Sequence, residues 1–296
     1  MKTITALLAV GCAASHAQTP PTPTLNAGDA IHRIQSRYAA APPPDTLDTI
    51  KAGDPSTPVT GIATTFLDTM DVLREAVRRG DNLIITHEPT FYNHRDDTKL
   101  FTDDAVYKEK RAFIDQHHLV VFRLHDEIHA DATDHILTGL YEALGWQSYP
   151  HPSGRLGQYF VTIPQTTLGE LARTLQARLG AQTMRVVGDP GLEITHVAMR
   201  PGSSGLEKQV LALRQPGVQL LIAGEASEWE TVEYVRDAAA EGRHVGLILL
   251  GHEVSEEPGM EQCAKELREL FPGVRVDHIV AGQPMWNPEH GPVARK

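Results

Sequence analysis

Apolar residues fall along this chain in two spacings. Short unbroken runs (Leu83-Ile84-Ile85, Leu119-Val120-Val121-Phe122, Leu220-Leu221-Ile222, Leu247-Ile248-Leu249-Leu250) have the length and character of strands covered on both faces. Between them, apolar positions recur every three or four residues, as on a helix with one buried stripe. Strands are therefore expected at 59–66, 82–86, 118–124, 158–163 (ended by Pro164), 184–187, 194–199, 219–223, 245–250 and 274–279. Helices are expected at 29–39 (stopped by Pro42-Pro43-Pro44), 68–79 (capped by Asp68), 103–116, 132–144 and 256–271. Two more open on capping boxes, Thr167 with Glu170 and Ser227 with Glu230.

Strands alternating with helices predict an α/β fold. A weak internal echo, Arg79-Gly80-Asp81-Asn82-Leu83-Ile84-Ile85-Thr86-His87-Glu88 against the stretch from Gln215 to Glu225, suggests two similar α/β halves with mixed sheets. A site between them would lie at strand carboxyl ends, where open α/β sheets bind ligands. The expected segments are a signal peptide (1–17), a flexible leader (18–26), a first α/β half (27–145), a connecting α/β segment (146–200) and a second α/β half (201–296).

The signal peptide rests on the basic start Met1-Lys2, the apolar stretch from Ile4 to Val10, and small residues up to Ala17. Cleavage there makes the protein periplasmic or secreted. Gly11-Cys12 also allows acylation of Cys12, a reading ranked second because Ala9 stands where a larger aliphatic residue is usual. No later run is long and apolar enough to span a membrane.

Composition narrows the chemistry. The net charge of -11, with 27 Lys and Arg against 38 Asp and Glu, offers no basic stripe for nucleic acid. Two Cys among 296 residues exclude a disulfide framework and a thiolate metal cluster. The 15 His leave nitrogen and oxygen as the ligands of any metal. A nucleophile elbow, a P-loop, a dinucleotide fingerprint and His-Glu-x-x-His are all missing.

Three strand ends instead carry His beside carboxylates. His87-Glu88 leaves the 82–86 strand, and adjacent ligands pointing apart suit two ions better than one. His125-Asp126-Glu127 and His129 follow the next strand, and His252 with Glu256 follows the 245–250 strand at helical spacing. Singly, each reads as a polar residue at a strand end or an acid complementing a helix dipole. Together they point to one metal centre suited to Zn, Mn, Fe or Co. Gly202-Ser203-Ser204-Gly205 is either an anion-binding turn or a tight loop, and Trp229 and Tyr234 read as core or interface.

At these motifs the chain resembles the NGG-interacting-factor-three-like family of dinuclear-metal hexameric proteins, some of which carry the name GTP cyclohydrolase I type 2. Leu83-Ile84-Ile85-Thr86-His87-Glu88-Pro89 is similar to its Ile-Ile-Thr-His-His-Pro signature, and Gly251-His252 through Glu256 to its Gly-His-x-x-x-Glu ending. Gly53-Asp54-Pro55 with Val59-Thr60-Gly61-Ile62, Val186-Val187-Gly188-Asp189-Pro190 and Ile222-Ala223-Gly224-Glu225 match further landmarks, from about Ala27 to Ile279. The resemblance implies two divalent ions, His87 on one and Glu88 on the other, with His252 and Glu256 completing and bridging the pair. It puts Glu88 where a second His is usual and His129 where an Asp is usual, so the ligand set is nearly preserved. It also implies a homohexameric ring with the metal centres facing an interior space.

The leading reading is a metal-dependent hydrolase acting on a small-molecule substrate through a metal-activated water. His125, Asp126 or Glu127 would carry the proton or support the ligands. The alternative is a non-catalytic metal-binding or scaffold protein whose centre stabilises the oligomer. Neither nucleic acid nor, unless Cys12 is lipidated, a membrane is an expected partner.

Overall fold

The computed structural model describes residues 25–38, 43–289 and 291. The signal peptide and most of the leader lie outside the described residues.

Among these residues, two five-stranded sheets form. The first is built from β1 (Ile50–Ala52), β2 (Ile62–Thr65), β3 (Leu83–Thr86), β4 (Val120–Arg123) and β10 (Val276–His278), in the order β1-β4-β3-β2-β10. β10, β2, β3 and β4 run parallel, and β1 closes the edge antiparallel to β4. The second, ordered β5-β7-β8-β9-β6, contains β5 (Phe160–Thr167), β6 (Arg185–Val187), β7 (Glu193–Arg200), β8 (Leu220–Ala223) and β9 (Gly246–Leu249). Its centre, β7-β8-β9, is parallel and both edge strands are antiparallel. The α/β reading with mixed sheets therefore holds. The echoing segments become β3 and β8, the middle strand of each sheet.

Side-chain alternation explains the layering. Leu83 and Ile85 face α1 (Ala27–Arg37) and α9 (His252–Leu270), whereas Ile84 faces α2 (Met70–Arg79) and α3 (Ala105–Gln116). In the second sheet Leu220 and Ile222 meet α5 (His135–Leu144) and α6 (Leu168–Leu179). Leu221 and Ala223 meet α7 (Leu206–Leu213) and α8 (Glu233–Ala240). Each wholly buried Leu or Ile contributes roughly 1.5–3 kcal/mol by leaving water, so covering both faces needs the unbroken apolar runs.

Helix α9 ties the sheets together. It starts after a two-residue link from β9, packs Met260, Cys263 and Leu267 under the first sheet, and hands the chain to β10 there. Sheet membership thus cuts across the sequence segments: strands of 146–200 join the second sheet and the C-terminal strand returns to the first. Where α5 crosses α9, a Cβ on Gly139 would lie 2.4 Å from Pro258 O, and one on Gly259 2.5 Å from Ile136 Cα. Glycine at both positions lets the backbones touch.

Several local expectations are corrected. Thr69, not Asp68, caps α2 by accepting from Val72 N–H; Asp68 is buried against Lys110 Nζ at 3.4 Å. Ser227 makes no side-chain cap, and Glu228–Val232 is a π-helical turn. Strand β5 continues through Pro164, absorbing it as a register shift between Thr162 and Thr166, as an edge strand permits. Trp229 is 80% exposed, and Tyr234, Met285 and Trp286 are also exposed, so none of these is core.

His135, at the start of α5, joins the helices through charge. Its Nδ1 lies 2.8 Å from Glu266 Oε1 and its Nε2 3.0 Å from Asp131 Oδ2. Burial depresses this imidazole, but the two carboxylates outweigh it and raise its pKa above the ordinary 6.5. The stabilisation is thus complete below about pH 6.5 and fades as pH rises through the folded-state pKa. Urea unfolding should therefore show His135→Gln losing more stability at pH 6 than at pH 9.5. An equal loss at both would mean that hydrogen bonding alone, without the charge, holds the helices.

Candidate metal centre

The site grows from three strand ends. Beyond β3, His87 N–H and Glu88 N–H still donate to Thr65 O and Phe66 O, which carries sheet order one step past the strand. Beyond β4 the short helix α4 (Asp126–Ala130) begins. The carboxylate of Asp48 fixes its start by accepting from the backbone N–H groups of His125, Asp126 and Glu127 at 2.7–2.8 Å. Beyond β9, α9 opens on His252 and brings Glu256 round one turn later. Gly202 packs on that carboxylate, where a Cβ would lie 2.1 Å from Glu256 Oε1 and φ is +64°; only glycine fits both constraints.

Four imidazoles converge. The rings of His87 and His125 stack at 4.8 Å, with His129 edge-on to them at 5.0 and 5.2 Å. His252 Nε2 lies 3.0 Å from Glu256 Oε2 and 3.3 Å from Glu88 Oε1. His87 Nε2 is 3.4 Å from Glu256 Oε2, and His125 Nε2 is 3.8 Å from Glu88 Oε1.

The outer nitrogens are held from behind. His87 Nδ1 donates to Leu124 O, His125 Nδ1 to Asp126 Oδ1 and His129 Nδ1 to Asp134 Oδ2, each at 3.0 Å. His252 Nδ1 faces Glu225 Oε1 at 3.7 Å. Because carbonyls and carboxylates only accept, the Nδ1 proton is fixed and Nε2 is left to face the centre, the outer arrangement of metal-bound histidines. Glu88 is anchored likewise: its Oε2 accepts from Arg123 Nη2 at 2.9 Å, leaving Oε1 inward.

The charges of this cluster favour a cation. Burial lowers His252, yet Glu225, Glu256 and Glu88 overcome it and push the imidazole up to about 12. Burial likewise lowers His129, while Asp134 and the two glutamates bring it up to about 9. Against burial, the histidines hold Glu88 down at about 2 and Glu256 well below the usual range. His125 is lowered by burial, only partly offset by Asp126.

The donor set passes a structural test for metal. His87 Nε2 is buried with no hydrogen-bond partner, a cost that coordination would remove. Two groups, His87/His125/His129 and His87/Glu88/Glu256, each bring one ligand atom per residue to within 4.8 Å of one another. The cluster is therefore a candidate divalent-metal site of nitrogen and oxygen donors. His87 belongs to both groups, and its one free nitrogen serves one ion.

All five residues expected as ligands meet here. The three expected to carry protons separate. His125 stands among the donors, Asp126 lies behind it, and Glu127 turns away to Gln35 and the Asp48 side. Burial, with Asp48 and Asp126 nearby, raises Glu127 to about 7, but it does not line the cleft. Asp48, Arg123, Asp134 and the orienting role of Glu225 escaped the sequence reading. Two signals were available: Asp134 caps α5, and Arg123 is a charge ending an apolar strand. The cleft over the donors has a volume of about 2140 Å³.

A family model, Duf34/NIF3 (NGG1p interacting factor 3), matches residues 49–284. Among curated proteins, a GTP cyclohydrolase 1 type 2 homolog from Clostridium acetobutylicum is 25% identical over 226 residues, covering 74% of this chain and 80% of its own length. A similarly named Clostridium perfringens protein is 22% identical, covering 74% and 82%. Among solved structures, Staphylococcus aureus hypothetical protein SA1388 superposes with a TM-score of 0.73 at 18% identity, covering 90% of this chain and 100% of that one. A Bacillus cereus protein related to NIF3 gives 0.70 at 15%, covering 90% and 99%. At these identities the structures speak to the fold alone.

Proposed function

Because the chain belongs to the Duf34/NIF3 family, we propose that it is a metal-dependent hydrolase with a dinuclear divalent centre. The observation that carries this reading is the common orientation of four histidines: each turns Nδ1 to an outer acceptor, Nε2 of His87, His125 and His252 lies within 3.8 Å of Glu88 or Glu256, and His129 groups with His87 and His125. His87, Glu88, His129, His252 and Glu256 would hold the ions. We add His125, because it completes a group with His87 and His129. Zn, Mn, Fe and Co suit such donors.

When bound, two such ions supply an acidified water and a polarised scissile bond. The protein's own part is positional. Asp126 and Asp134 keep the protons of His125 and His129 on Nδ1, Arg123 aims Glu88, and Gly202 leaves room for Glu256. The test is a screen of the metal-loaded chain against phosphoesters, nucleotides, cyclic amides and peptides. The name of the Clostridium relatives puts nucleotides and cyclic amides in the first panel. Full metal loading with no hydrolysis of any class would favour a scaffold role instead.

Self-association as a closed homohexamer is part of this proposal. Exposed Trp229, Met285 and Trp286 are residues of the kind that interface cores favour, and a chain at -11 needs such apolar patches to meet its copies. Light scattering in moderate salt should give the mass of six chains. A monodisperse monomer over a wide concentration range would remove this part.

A further inference from the structure

Arg200, the last residue of β7, lines the same cleft as the metal donors. Its guanidinium carbon lies 4.3 Å from the centre of the Tyr159 ring and 5.9 Å from that of Phe160. Among the described residues no carboxylate forms an ion pair with it, and its Nε is buried without a hydrogen-bond partner. Asp134, whose field reaches it, already accepts from Leu137 N–H, Tyr159 O–H and His129 Nδ1.

Arg123 shows how this fold treats a buried guanidinium that only braces structure. It donates to His87 O, His94 O and Glu88 Oε2, with Asp96 beyond. Arg200 has no such set. Withdrawing a cation from water without an acceptor is costly, and a ring face repays only part of that cost. Stacking on Tyr159 leaves the hydrogen-bonding edge of the fork free, the edge that grips carboxylate and phosphate bidentately.

We propose that Arg200, seated on Tyr159, binds an oxyanion group (carboxylate or phosphate) of the small molecule that occupies this cleft. The Tyr159–Asp134–His129 hydrogen-bond chain fixes the distance between that group and the metal donors, so the ligand is held by its anionic end with its reactive bond toward the centre. Leu156, Leu211 and Trp286, which also line the cleft, suit an apolar body. That the ligand is a substrate rests on the hydrolase reading; that Arg200 binds an oxyanion does not.

The experiment is calorimetric titration of the full, metal-loaded chain with inorganic phosphate in one arm and succinate in the other. The wild type is compared with Arg200→Met and Arg200→Lys, and metal content is measured on each sample. At least one anion should bind the wild type. Arg200→Met should weaken it by about 10- to 100-fold at unchanged metal content, with Arg200→Lys between the two. The responding arm identifies the anion. Binding undiminished in Arg200→Met, or no binding of either anion to the wild type, overturns the proposal. Repeating the titration on chelated protein separates the two readings. Arg200-dependent binding in a chain that never takes up metal keeps the anion site and discards the metal centre. Full metal loading with Arg200-independent binding does the reverse.

Discussion

Replacing His252 and Glu256 together by alanine is expected to release the divalent ion that the His87/Glu88/Glu256 group would hold. Glu256 is buried, its Oε2 approaches both His252 and His87, and it completes the group with His87 and Glu88. Without it, that group keeps two donors, too few to hold a divalent ion against water. Without His252, Glu88 Oε1 also loses its nearest imidazole. Elemental analysis after dialysis reads the outcome directly, and unchanged stoichiometry would reject the site. Deleting a buried carboxylate beside Gly202 also leaves a void, so Glu256→Gln serves as the companion variant. It preserves volume and packing while removing the charge, and it should lose metal too.

What the sequence disclosed follows from how local each determinant is. Runs such as Leu83-Ile84-Ile85 identify β3, because a strand covered on both faces must be apolar at every position. His87, His125 and His252 could be placed at strand ends by counting onward from such runs. The Thr167–Glu170 capping box appears as expected because both partners lie within one turn. The residues that orient the ligands are different in kind. Asp48 lies 77 positions from the His125 N–H it accepts, and Arg123 lies 35 from Glu88. No spacing rule reaches that far. Arg200 and the Tyr159 ring beneath it are likewise distant in sequence and meet only in the fold.

The start of α9 shows tertiary contacts overriding local signals. Pro258 and Gly251 argue for a helix beginning late, since proline removes an interior hydrogen bond. The helix nevertheless begins at His252. Ser255 Oγ donates to His252 O and accepts from Gly202 N–H, which pins the first turn to the neighbouring loop. The expected ligands His252 and Glu256 stand at the two ends of that turn, so the energetically awkward proline sits directly behind the candidate site.

Arg123→Met should have the second large effect, on stability and metal affinity together. Arg123 is wholly buried at the end of β4. Its guanidinium bonds the carbonyls of His87 and His94 and the carboxylate of Glu88, and approaches Asp96, which in turn meets Lys51 Nζ at 3.4 Å. Methionine fills a similar volume but leaves Glu88 without its guanidinium, Asp96 with Lys51 alone, and two carbonyls without this donor. Breaking a buried ion pair on one side costs about 3–5 kcal/mol, which urea unfolding would register. Glu88 would also lose the bond that turns Oε1 inward, and losing an orienting partner of this kind lowers metal affinity by about 10- to 100-fold. Arg123→Lys should recover only a minor part, because one ammonium cannot span a carboxylate and two carbonyls. If metal binding falls while stability stays within about 1 kcal/mol, the arginine acts on the site alone. If stability falls with metal affinity unchanged, Glu88 does not depend on Arg123 for its aim. Loss of both is the expected result, since one planar cation joins the loop after β3 to the only charged residue of β4.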